Sequence, residues 1–401
     1  MKHYIPLGDV LESFDSGVWG DEDVEAGISV LRSTNFNADG TLDFTKLTFR
    51  VLDARDKSRK LLQAGDILLE KSGGGPKQPV GRVCLFLGDA VPHAFSNFIA
   101  RLRPGKAVLS EYLFYYLWQF HRSGKTSHYQ KQTTGIRNLE FKRYLTIPVP
   151  VYSIEEQQRI VDLLSRAEGI VRLRREAQRK AAELIPAIFI DMFGDPATNP
   201  KGWPVVKLGE LLSSIDSGHS PKCGDRHRGV DEWGVLRLGA VSRCEYDEYE
   251  HKTLPRDIDP DTSIEVKSGD LLLSRKNTAE LVGASAYVWA TGGRILLPDL
   301  IFRLRLAETA QVNAIYLWKL LTTDAKRRAL TRLATGSAGS MPNISKERLR
   351  TLPVKVPTLG LQMKFADFVK EIRSIRQQQQ AAIQKAEEVF ASLLAGAFSG
   401  I

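Results

Sequence analysis

The stretch LGDVLESFDSG at residues 7–17 returns as LGELLSSIDSG at residues 208–218, and this repetition decides how the chain is organised. A Gly-Asp turn that leads into an apolar run also occurs twice, as AGDILL at residues 64–69 and SGDLLL at residues 268–273. The copies keep the same order about half a chain apart. A long, fixed period of this kind indicates a duplicated structural unit. We therefore predict two similar domains.

The duplication continues toward the end of each copy. The further matching segments are Thr134-Gly135 with Thr335-Gly336, Asn138-Leu139 with Asn343-Ile344, and IPVP at 147–150 with VKVP at 354–357. The spacing between partners drifts by a few residues, as small loop insertions would produce. Each copy is thus a complete unit that ends at a proline.

Composition is consistent with two globular domains and with a polyanionic partner. The 401 residues are too many for one ordinary core, and 43% of them are hydrophobic while 26% are charged. The formal net charge of +9 favours an acidic partner such as nucleic acid, although charge alone does not establish one.

The chain shows no signal of export or membrane insertion. Its first residues, MKHYIPLGDV, lack the apolar core of a signal peptide, and no apolar run reaches the length that a bilayer requires. The 3 cysteines cannot all pair with one another and are widely spaced. We expect reduced thiols and a cytoplasmic location.

After each final proline, apolar residues recur at alternating gaps of three and four, which is the pattern of a coiled-coil seam. We predict long helices over 153–194 and 358–401 that pack on each other, with 195–204 as a proline-rich linker. The predicted seam comprises Ile160, Leu163, Ile170 and Leu184 in the first helix and, in the same phase, Phe365, Phe368, Ile372, Ile375, Val389 and Leu393 in the second.

These motifs in this order, twice over, with Gln157 and Gln362 at the openings of the helices, resemble the specificity subunits of type I restriction-modification systems. The resemblance covers essentially the whole chain. It implies an α+β fold: two similar mixed α/β target recognition domains, over 1–152 and 205–357, joined by an antiparallel coiled coil with pseudo-twofold symmetry. Pro186 and Leu361, where the first copy has Glu156, depart from a regular repeat and put local helix geometry in doubt.

The same resemblance implies a function without chemistry in this chain. A specificity subunit reads a two-part double-stranded DNA target, one half-site per domain, and recruits two modification subunits and, for cleavage, two restriction subunits. S-adenosylmethionine, Mg²⁺ and ATP would belong to those partners. We accordingly predict no catalytic residue, metal site, cofactor or membrane contact here.

Base edges are read by side chains with paired donors, supported by cations on phosphates. Polar and basic residues cluster at matching positions of the two copies and form the predicted DNA-contacting set. In the first copy they are Arg32, Asn35, Lys71, Lys125, Tyr129, Lys131, Gln132 and Arg137; in the second they are Arg237, Arg275, Lys276, Asn277, Ser337 and Ser340. Any single member could equally be an ordinary solvated side chain.

Three alternatives remain open at this point. The segment 260–267 has the residues of a nuclease metal site, but Asp261 and Glu265 are too close in sequence to come from adjacent strands. A zinc site could be assembled on paper from His219, Cys223, His227 and Cys244, without a trustworthy ligand spacing. A structural adaptor without DNA readout is the third possibility.

Overall fold

The computed structural model describes residues 3–19, 21–22, 27–75, 78–133, 136–336 and 341–398. Its contacts divide the chain into two compact units. The first comprises Met1–Arg175 with Ala381–Ile401, and the second comprises Glu176–Gln380. Each unit therefore combines a globular part with a portion of both long helices.

The globular part of the first unit is built mainly from short strands. They are β1 His3–Pro6, β2 Leu11–Ser16, β3 Asp21–Glu22, β4 Ile28–Leu31, β5 Thr48–Val51, β6 Ile67–Glu70, β7 Ser72–Gly74, β8 Val83–Leu85, β9 His93–Phe95, β10 Ile99–Pro104, β11 Gln130–Thr133, β12 Ile136–Leu139 and β13 Pro148–Val151. Its helices are α1 Ala54–Lys60, α2 Ser110–Arg122 and α3 Phe141–Tyr144, and after β13 the long helix α4 runs over Ile154–Phe193.

The second unit has shorter strands and more helix. Its strands are β14 Val205–Lys207, β15 Leu212–Ser217, β16 Gly234–Leu236, β17 His251–Thr253, β18 Leu271–Ser274, β19 Ser285–Tyr287, β20 Ile295–Leu296, β21 Ile301–Leu306 and β22 Pro353–Lys355. Its helices are α5 Gly239–Ser242, α6 Ala314–Leu321, α7 Asp324–Leu333 and α8 Lys346–Arg350, followed by the long helix α9 Leu359–Ala397.

The two units share one topology. A four-stranded antiparallel sheet has the order β2-β10-β6-β8 in the first unit and β15-β21-β18-β19 in the second. A small sheet pairs the first strand of each unit with its last, β1 with β13 and β14 with β22. A further sheet contains one parallel pair, β4 with β9 and β16 with β20. The predicted duplication of a mixed α/β unit is confirmed.

Helix α2 is apolar on nearly every side, which is typical of a helix that lies inside a core. Tyr112, Tyr116 and Trp118 are buried on it. Their rings contact two aromatic side chains near the end of α9: Tyr112 lies 5.4 Å from Phe398, and Trp118 lies 5.7 Å from Phe390, measured between ring centroids. The core of the first unit thus includes the end of the second long helix.

Within each unit the long helices run antiparallel. In the second unit the ring of Phe193, at the end of α4, lies 5.4 Å from that of Phe365, near the start of α9. In the first unit Arg175 forms an ion pair of 2.6 Å with Glu387, toward the end of α9. Helix α4 continues without a break through Pro186. The predicted pair of long helices is confirmed.

The predicted seam is only partly right. Phe365 and Ile372 are buried, and Ile160 and Leu393 pack partly buried against a core. The remaining members are between 42% (Ile375) and 52% (Leu163) exposed, and a seam position for them is wrong: Leu163, Ile170, Leu184, Phe368, Ile375 and Val389.

At five of these six places the physical reason is that two apolar residues are adjacent, so two neighbouring stripes share one period; Ile375 lies between Ser374 and Arg376 and has no apolar neighbour. The buried member of each pair is the next residue along the chain, and these residues are Leu164, Val171, Ile185, Val369 and Phe390. A buried stripe on α4 or α9 contacts the globular core of its unit as well as the other helix. The periodicity alone does not show which of the two stripes has that second contact.

No helix in the described ranges has both the length and the apolar character needed to cross a bilayer.

Candidate nucleic-acid interface

In the first unit, two segments that the sequence flagged separately lie on one small sheet. The chain leaves β6 at Glu70, passes through Lys71 and forms β7. Strand β12 pairs with β7 so that Arg137 stands opposite Gly74, and β12 also pairs with β11. Because all three strands join, Lys71, Lys131 and Arg137 are brought into one region of the unit.

Lys71 is the best placed cation of this region. Its Nζ donates a hydrogen bond of 2.7 Å to the hydroxyl of Ser16, which belongs to the duplicated Asp-Ser-Gly motif. Burial, and then the positive charge of Lys60, lower the pKa of the Lys71 amino group below its usual value. Among the described residues no carboxylate pairs with Lys71. A phosphate oxygen would supply the missing negative charge.

Arg275 occupies the matching place in the second unit. The backbone N–H of Arg275 donates to the carbonyl of Leu300, as that of Lys71 donates to the carbonyl of Phe98. Its guanidinium lies 5.2 Å from the ring centroid of Phe302, and its Nε donates to the Asn343 side chain at 3.1 Å. The geometry leaves the rest of the guanidinium fork for another acceptor.

The neighbours of Arg275 repeat the small sheet of the first unit in reduced form. Single bridges join Lys276 to Asn343 and Thr335 to Asn343. Lys276 is partly exposed beside them. The matching polar segments of the two copies are thus assembled in the same way.

Two residues that were predicted to contact DNA, Asn35 and Asn277, have structural roles instead. Asn35 is 1% exposed, and its amide donates to the carbonyls of Asp43 and Lys46 and accepts from the backbone N–H of Arg32. With its hydrogen bonds satisfied inside, the Asn35 side chain has none left for a base. The prediction that it contacts DNA gives way to a role in holding this loop.

Asn277 is also buried. Its Nδ2 donates to the hydroxyl of Ser242 at 3.3 Å, and its Oδ1 accepts from the backbone N–H of Thr278. Its amide therefore stabilises the loop after β18, and we correct its predicted role in the same way. The contact also places that loop beside α5, which begins two residues after Arg237.

Arg32 and Arg237 are partly exposed at matching strand ends. Arg237 donates to the carbonyl of Asp225 at 2.7 Å and forms an ion pair of 3.3 Å with its carboxylate. Since Asp225 is highly exposed, this pair is weak and could exchange for a phosphate contact.

The segment before β12 contains contacts of two kinds. The ring of Tyr129 packs 5.8 Å from Phe120 and 6.0 Å from Tyr144, so it covers the edge of the core. Lys131 is exposed and forms an ion pair with Glu140. Lys125 begins the 3-10 turn Lys125–Tyr129 and is partly exposed.

Three members of the predicted set cannot be placed. Ser337 and Ser340 lie outside the described residues, and so does the side chain of Gln132, whose backbone belongs to β11.

Sequence reasoning missed an exposed aromatic pair beside Lys71. Trp19 is 49% exposed and packs edge to face on Phe98, with 6.4 Å between ring centroids. The Arg50 guanidinium lies 4.8 Å from the indole centroid. The carbonyl of Phe98 accepts hydrogen bonds from the backbone N–H groups of Lys71 and Ser72. The sequence signal was a tryptophan two residues after the first Asp-Ser-Gly motif.

The acidic residue of the Asp-Ser-Gly motif is structural in both units. Asp15 accepts a hydrogen bond of 2.9 Å from Arg101, and Asp216 accepts one of 3.0 Å from Arg303. Both arginines are buried on the central strand of the four-stranded sheet. A buried guanidinium needs a charged partner, so this motif stabilises the sheet.

The motif glycines have a different role. A Cβ at Gly17 would lie 2.1 Å from the carbonyl oxygen of Phe95, and one at Gly218 would lie 1.8 Å from that of Leu297. Only glycine permits such a close approach between backbones. The duplicated motif thus marks two equivalent points where the chain passes close to the end of β9 or of β20.

Gln157 and Gln362 make equivalent contacts. Both side chains are fully buried at the start of a long helix. Gln157 accepts from the backbone N–H of Leu109 and donates to the carbonyls of Ala107 and Tyr152. Gln362 makes the same three bonds with Asn313, Gln311 and Pro357. Each glutamine therefore fastens a long helix to the loop that leads into α2 or α6.

The residues considered for a nuclease metal site or a zinc site do not come together as a metal-binding group among the described residues. Asp261 caps the 3-10 turn Thr262–Ile264 through Ser263, and Glu265 accepts from the backbone N–H of Arg294. Across the part of the chain that the structure describes, no three His, Cys, Asp or Glu side chains gather as a metal-binding group.

One hydrogen-bonded chain has the residues of a hydrolytic triad. The hydroxyl of Ser29 lies 2.7 Å from Nδ1 of His93, whose Nε2 lies 2.8 Å from Asp89. Ser29 is 3% exposed and His93 is 0% exposed. A nucleophile in that position cannot reach a substrate, so the chain of bonds is structural.

The known proteins that this chain resembles are specificity domains and specificity subunits of type I restriction systems. Residues 21–182 match the family model of the type I restriction modification DNA specificity domain. The specificity subunit of the type I restriction enzyme EcoEI of Escherichia coli is 31% identical over 229 residues, which are 57% of this chain and 38% of that subunit. The specificity subunit of MjaVIII of Methanocaldococcus jannaschii is 24% identical and covers 93% of this chain and 86% of its own length.

The extent of these matches differs. The chain spans less than half the length of the EcoEI subunit, and 40% of the MjaIX specificity subunit of Methanocaldococcus jannaschii. Among solved structures, the S subunit of a type I restriction-modification system from M. genitalium has a TM-score of 0.58 at 12% identity and covers 100% of this chain and 97% of its own. A chain from a structure of a type I system, described for its complex assembly and conformational transition, has the same TM-score of 0.58 at 16% identity, with coverage of 100% and 98%.

Proposed function

We propose that the chain is a specificity subunit of a type I restriction-modification system, from the family model that matches residues 21–182 and the similar subunits described above, and that it binds double-stranded DNA at a two-part target. Each unit reads one half-site, and the two long helices fix the length of the unread gap. The chain itself carries out no chemistry. Its task is to decide where partner subunits act.

The observation that carries this proposal is the repeated position of one cation. Lys71 and Arg275 follow the same strand of the same sheet in the two units, and each is flanked by a polar strand segment. Two equivalent basic surfaces on one chain suit two half-sites on one duplex, because the duplex offers the same phosphate geometry at each.

The helices support the ruler part of the proposal. Helix α4 has 40 residues and α9 has 39. At 1.5 Å per residue such a helix is about 60 Å long, which is comparable to about 17 base pairs of DNA. Antiparallel packing within each unit makes both helices resist bending together. Their length is therefore a suitable determinant of the gap between half-sites.

The exposed apolar stripes support the recruitment of partners. Leu163, Ile170 and Leu184 are seven or fourteen residues apart on α4, and Phe368, Ile375 and Val389 repeat that spacing on α9. A stripe with this period fits the apolar face of another helix. We assign it to helices of two modification subunits. Restriction subunits would join for cleavage, and S-adenosylmethionine, Mg²⁺ and ATP would be bound by the partners.

The test is the modified-base motif that the chain specifies. The full chain is expressed with its modification partner, and modified adenines in the host DNA are mapped by sequencing. We expect two short sequences at one fixed separation. A motif without an unread gap, or modification that persists without this chain, would contradict the proposal.

A binding measurement separates DNA readout from a purely structural adaptor. The full chain with its modification partner is titrated with a duplex that contains the mapped motif, at several salt concentrations. Phosphate contacts predict an affinity that falls steeply with salt. Absent or salt-independent binding would favour the adaptor.

A further inference from the structure

A cavity of about 330 Å³ lies in the first unit, and none of the residues that line it belongs to the candidate DNA interface. Its volume is in the lower part of the range for small-molecule sites, about 300–1,000 Å³. Four segments line it: 39–44, 85–88, the first turns of α2, and α4 near Ser165 and Glu168. Because these segments are far apart in sequence, the cavity depends on the folded unit.

The cavity is lined mainly by apolar surface, and three of its lining residues are aromatic. Phe114 and Tyr115 are buried in the core, with their ring centroids 5.3 Å apart, and form one side. Phe44 and Leu87 contribute apolar side chains that remain exposed. Gly40, with φ of +80°, lets the loop lie directly on Phe114, since a Cβ there would be 2.5 Å from Cζ of that ring. The aromatic wall is therefore a built feature of the loop.

The charged residues of the cavity all have the same sign. Asp39, Glu111 and Glu168 line it, and none of its described lining residues is Lys, Arg or His. The chain as a whole has a net charge of +9, so a site lined only by carboxylates is unusual for it. Aromatic faces and carboxylates both attract a cation.

Glu168 is the most buried of these three acids, since Asp39 and Glu111 are exposed. Its Oε2 accepts a hydrogen bond of 2.7 Å from the hydroxyl of Tyr115, and within the described residues its Oε1 accepts none. Burial raises the pKa of Glu168, and the negative charge of Asp39 adds to that, while the Tyr115 hydrogen bond and the charge of Arg172 lower it. Oε1 is therefore open to a further hydrogen-bond donor.

From the aromatic wall, the single sign of charge and the open oxygen of Glu168, we propose that this cavity binds a small organic cation, an ammonium ion on an apolar body. The ammonium group donates to Glu168, and the apolar body lies against Phe114 and Leu87. Binding of such a molecule would join α4 to the loop at Asp39–Phe44. This site and its ligand are independent of the DNA target.

The proposal is tested with three probes of one shape and different charge. These are 4-phenylbutylammonium, the neutral 4-phenylbutanol and the anionic 4-phenylbutyrate, each titrated calorimetrically into the full chain at neutral pH. We expect the ammonium ion to bind about tenfold more tightly than the alcohol, from one charge-assisted hydrogen bond in a partly buried site. The anion should bind most weakly of the three.

Two variants of α4 locate the site, and one serves as a matched control. Glu168→Gln keeps the shape of the side chain and should reduce the difference between the ammonium ion and the alcohol to about twofold or less. Ser165→Trp fills the cavity and should abolish binding of both. Glu183→Gln removes an exposed carboxylate elsewhere on α4 and should change nothing.

The outcomes separate this proposal from the proposed function. Equal affinity for the three probes, no binding of the ammonium ion, or an unchanged preference in Glu168→Gln would overturn the cation site. Thermal unfolding of each variant checks that the unit remains folded. The modified-base motif is mapped without these probes. The test of the proposed function and the test of the cation site can therefore have opposite results.

Discussion

Replacement of Gln157 by leucine should loosen the joint between α4 and the loop before α2. The leucine side chain is similar in size but has no polar atoms, so the N–H of Leu109 and the carbonyls of Ala107 and Tyr152 lose their partners. Each buried group left without a hydrogen bond costs about 1 kcal/mol or more. The three together predict a loss of about 3 kcal/mol in the free energy of unfolding of the first unit, or roughly 150-fold in the folding equilibrium.

The measurement is amide hydrogen exchange resolved by peptide, because one unfolding curve is poorly defined for a chain with two units. Exchange at the Leu109 amide should accelerate most, and other amides near it should follow. The matched control is Gln158→Leu, since Gln158 is exposed and, among the described residues, its side chain bonds only to Asp162. It should change the stability by less than about 0.5 kcal/mol. Equal effects of the two substitutions would refute the reasoning.

Three further predictions concern the helices, the interface and pH. Leu164→Ala should cost about 3 kcal/mol of unfolding free energy and Leu163→Ala less than about 0.5, measured by hydrogen exchange of peptides from the first unit, because only Leu164 is buried. The reverse order would support the predicted seam. Lys71→Ala should weaken binding to the full DNA target and reduce its salt dependence by about one charge, while Lys106→Ala, an exposed lysine outside the interface, should have less effect in both respects. Burial lowers the pKa of Lys326 from 10.5 to about 8, so the folded state releases this proton before the unfolded state does, and the stability of the second unit should rise between pH 8 and 10.5. In Lys326→Met the urea midpoint of the second unit, followed by hydrogen exchange of its own peptides, should lack that part of the rise.

The sequence was sufficient for the architecture because the duplicated motifs mark positions that the fold cannot vary. Gly17 and Gly218 allow two backbones to approach closely, and Gln157 and Gln362 make the same three hydrogen bonds. Such residues recur for packing reasons, so a self-comparison finds them. The long helices followed from their period, and the structure has them over Ile154–Phe193 and Leu359–Ala397.

The interface was harder to predict, because polarity in a sequence does not distinguish a side chain that faces solvent from one that satisfies a loop. Asn35 and Lys71 are both polar residues beside a strand. The side chain of Asn35 makes its hydrogen bonds with backbone groups, whereas that of Lys71 donates to the Ser16 hydroxyl. That difference depends on the fold of the loop, which brings the carbonyls of Asp43 and Lys46 next to Asn35. The apolar Trp19 was missed for the opposite reason, since exposure of an aromatic ring is a property of the folded unit.

The joint role of the two units and the helices is tested most directly by lengthening both helices. Insertion of one heptad after Ala177 and one after Ala382 keeps the buried stripes in phase and adds about 10 Å to each helix, or about three base pairs of DNA. The modified-base motif is then mapped for the altered chain with its modification partner. We expect both half-sequences to be unchanged and the gap between them to grow by about three base pairs. An unchanged gap with retained modification, or altered half-sequences, would contradict the account.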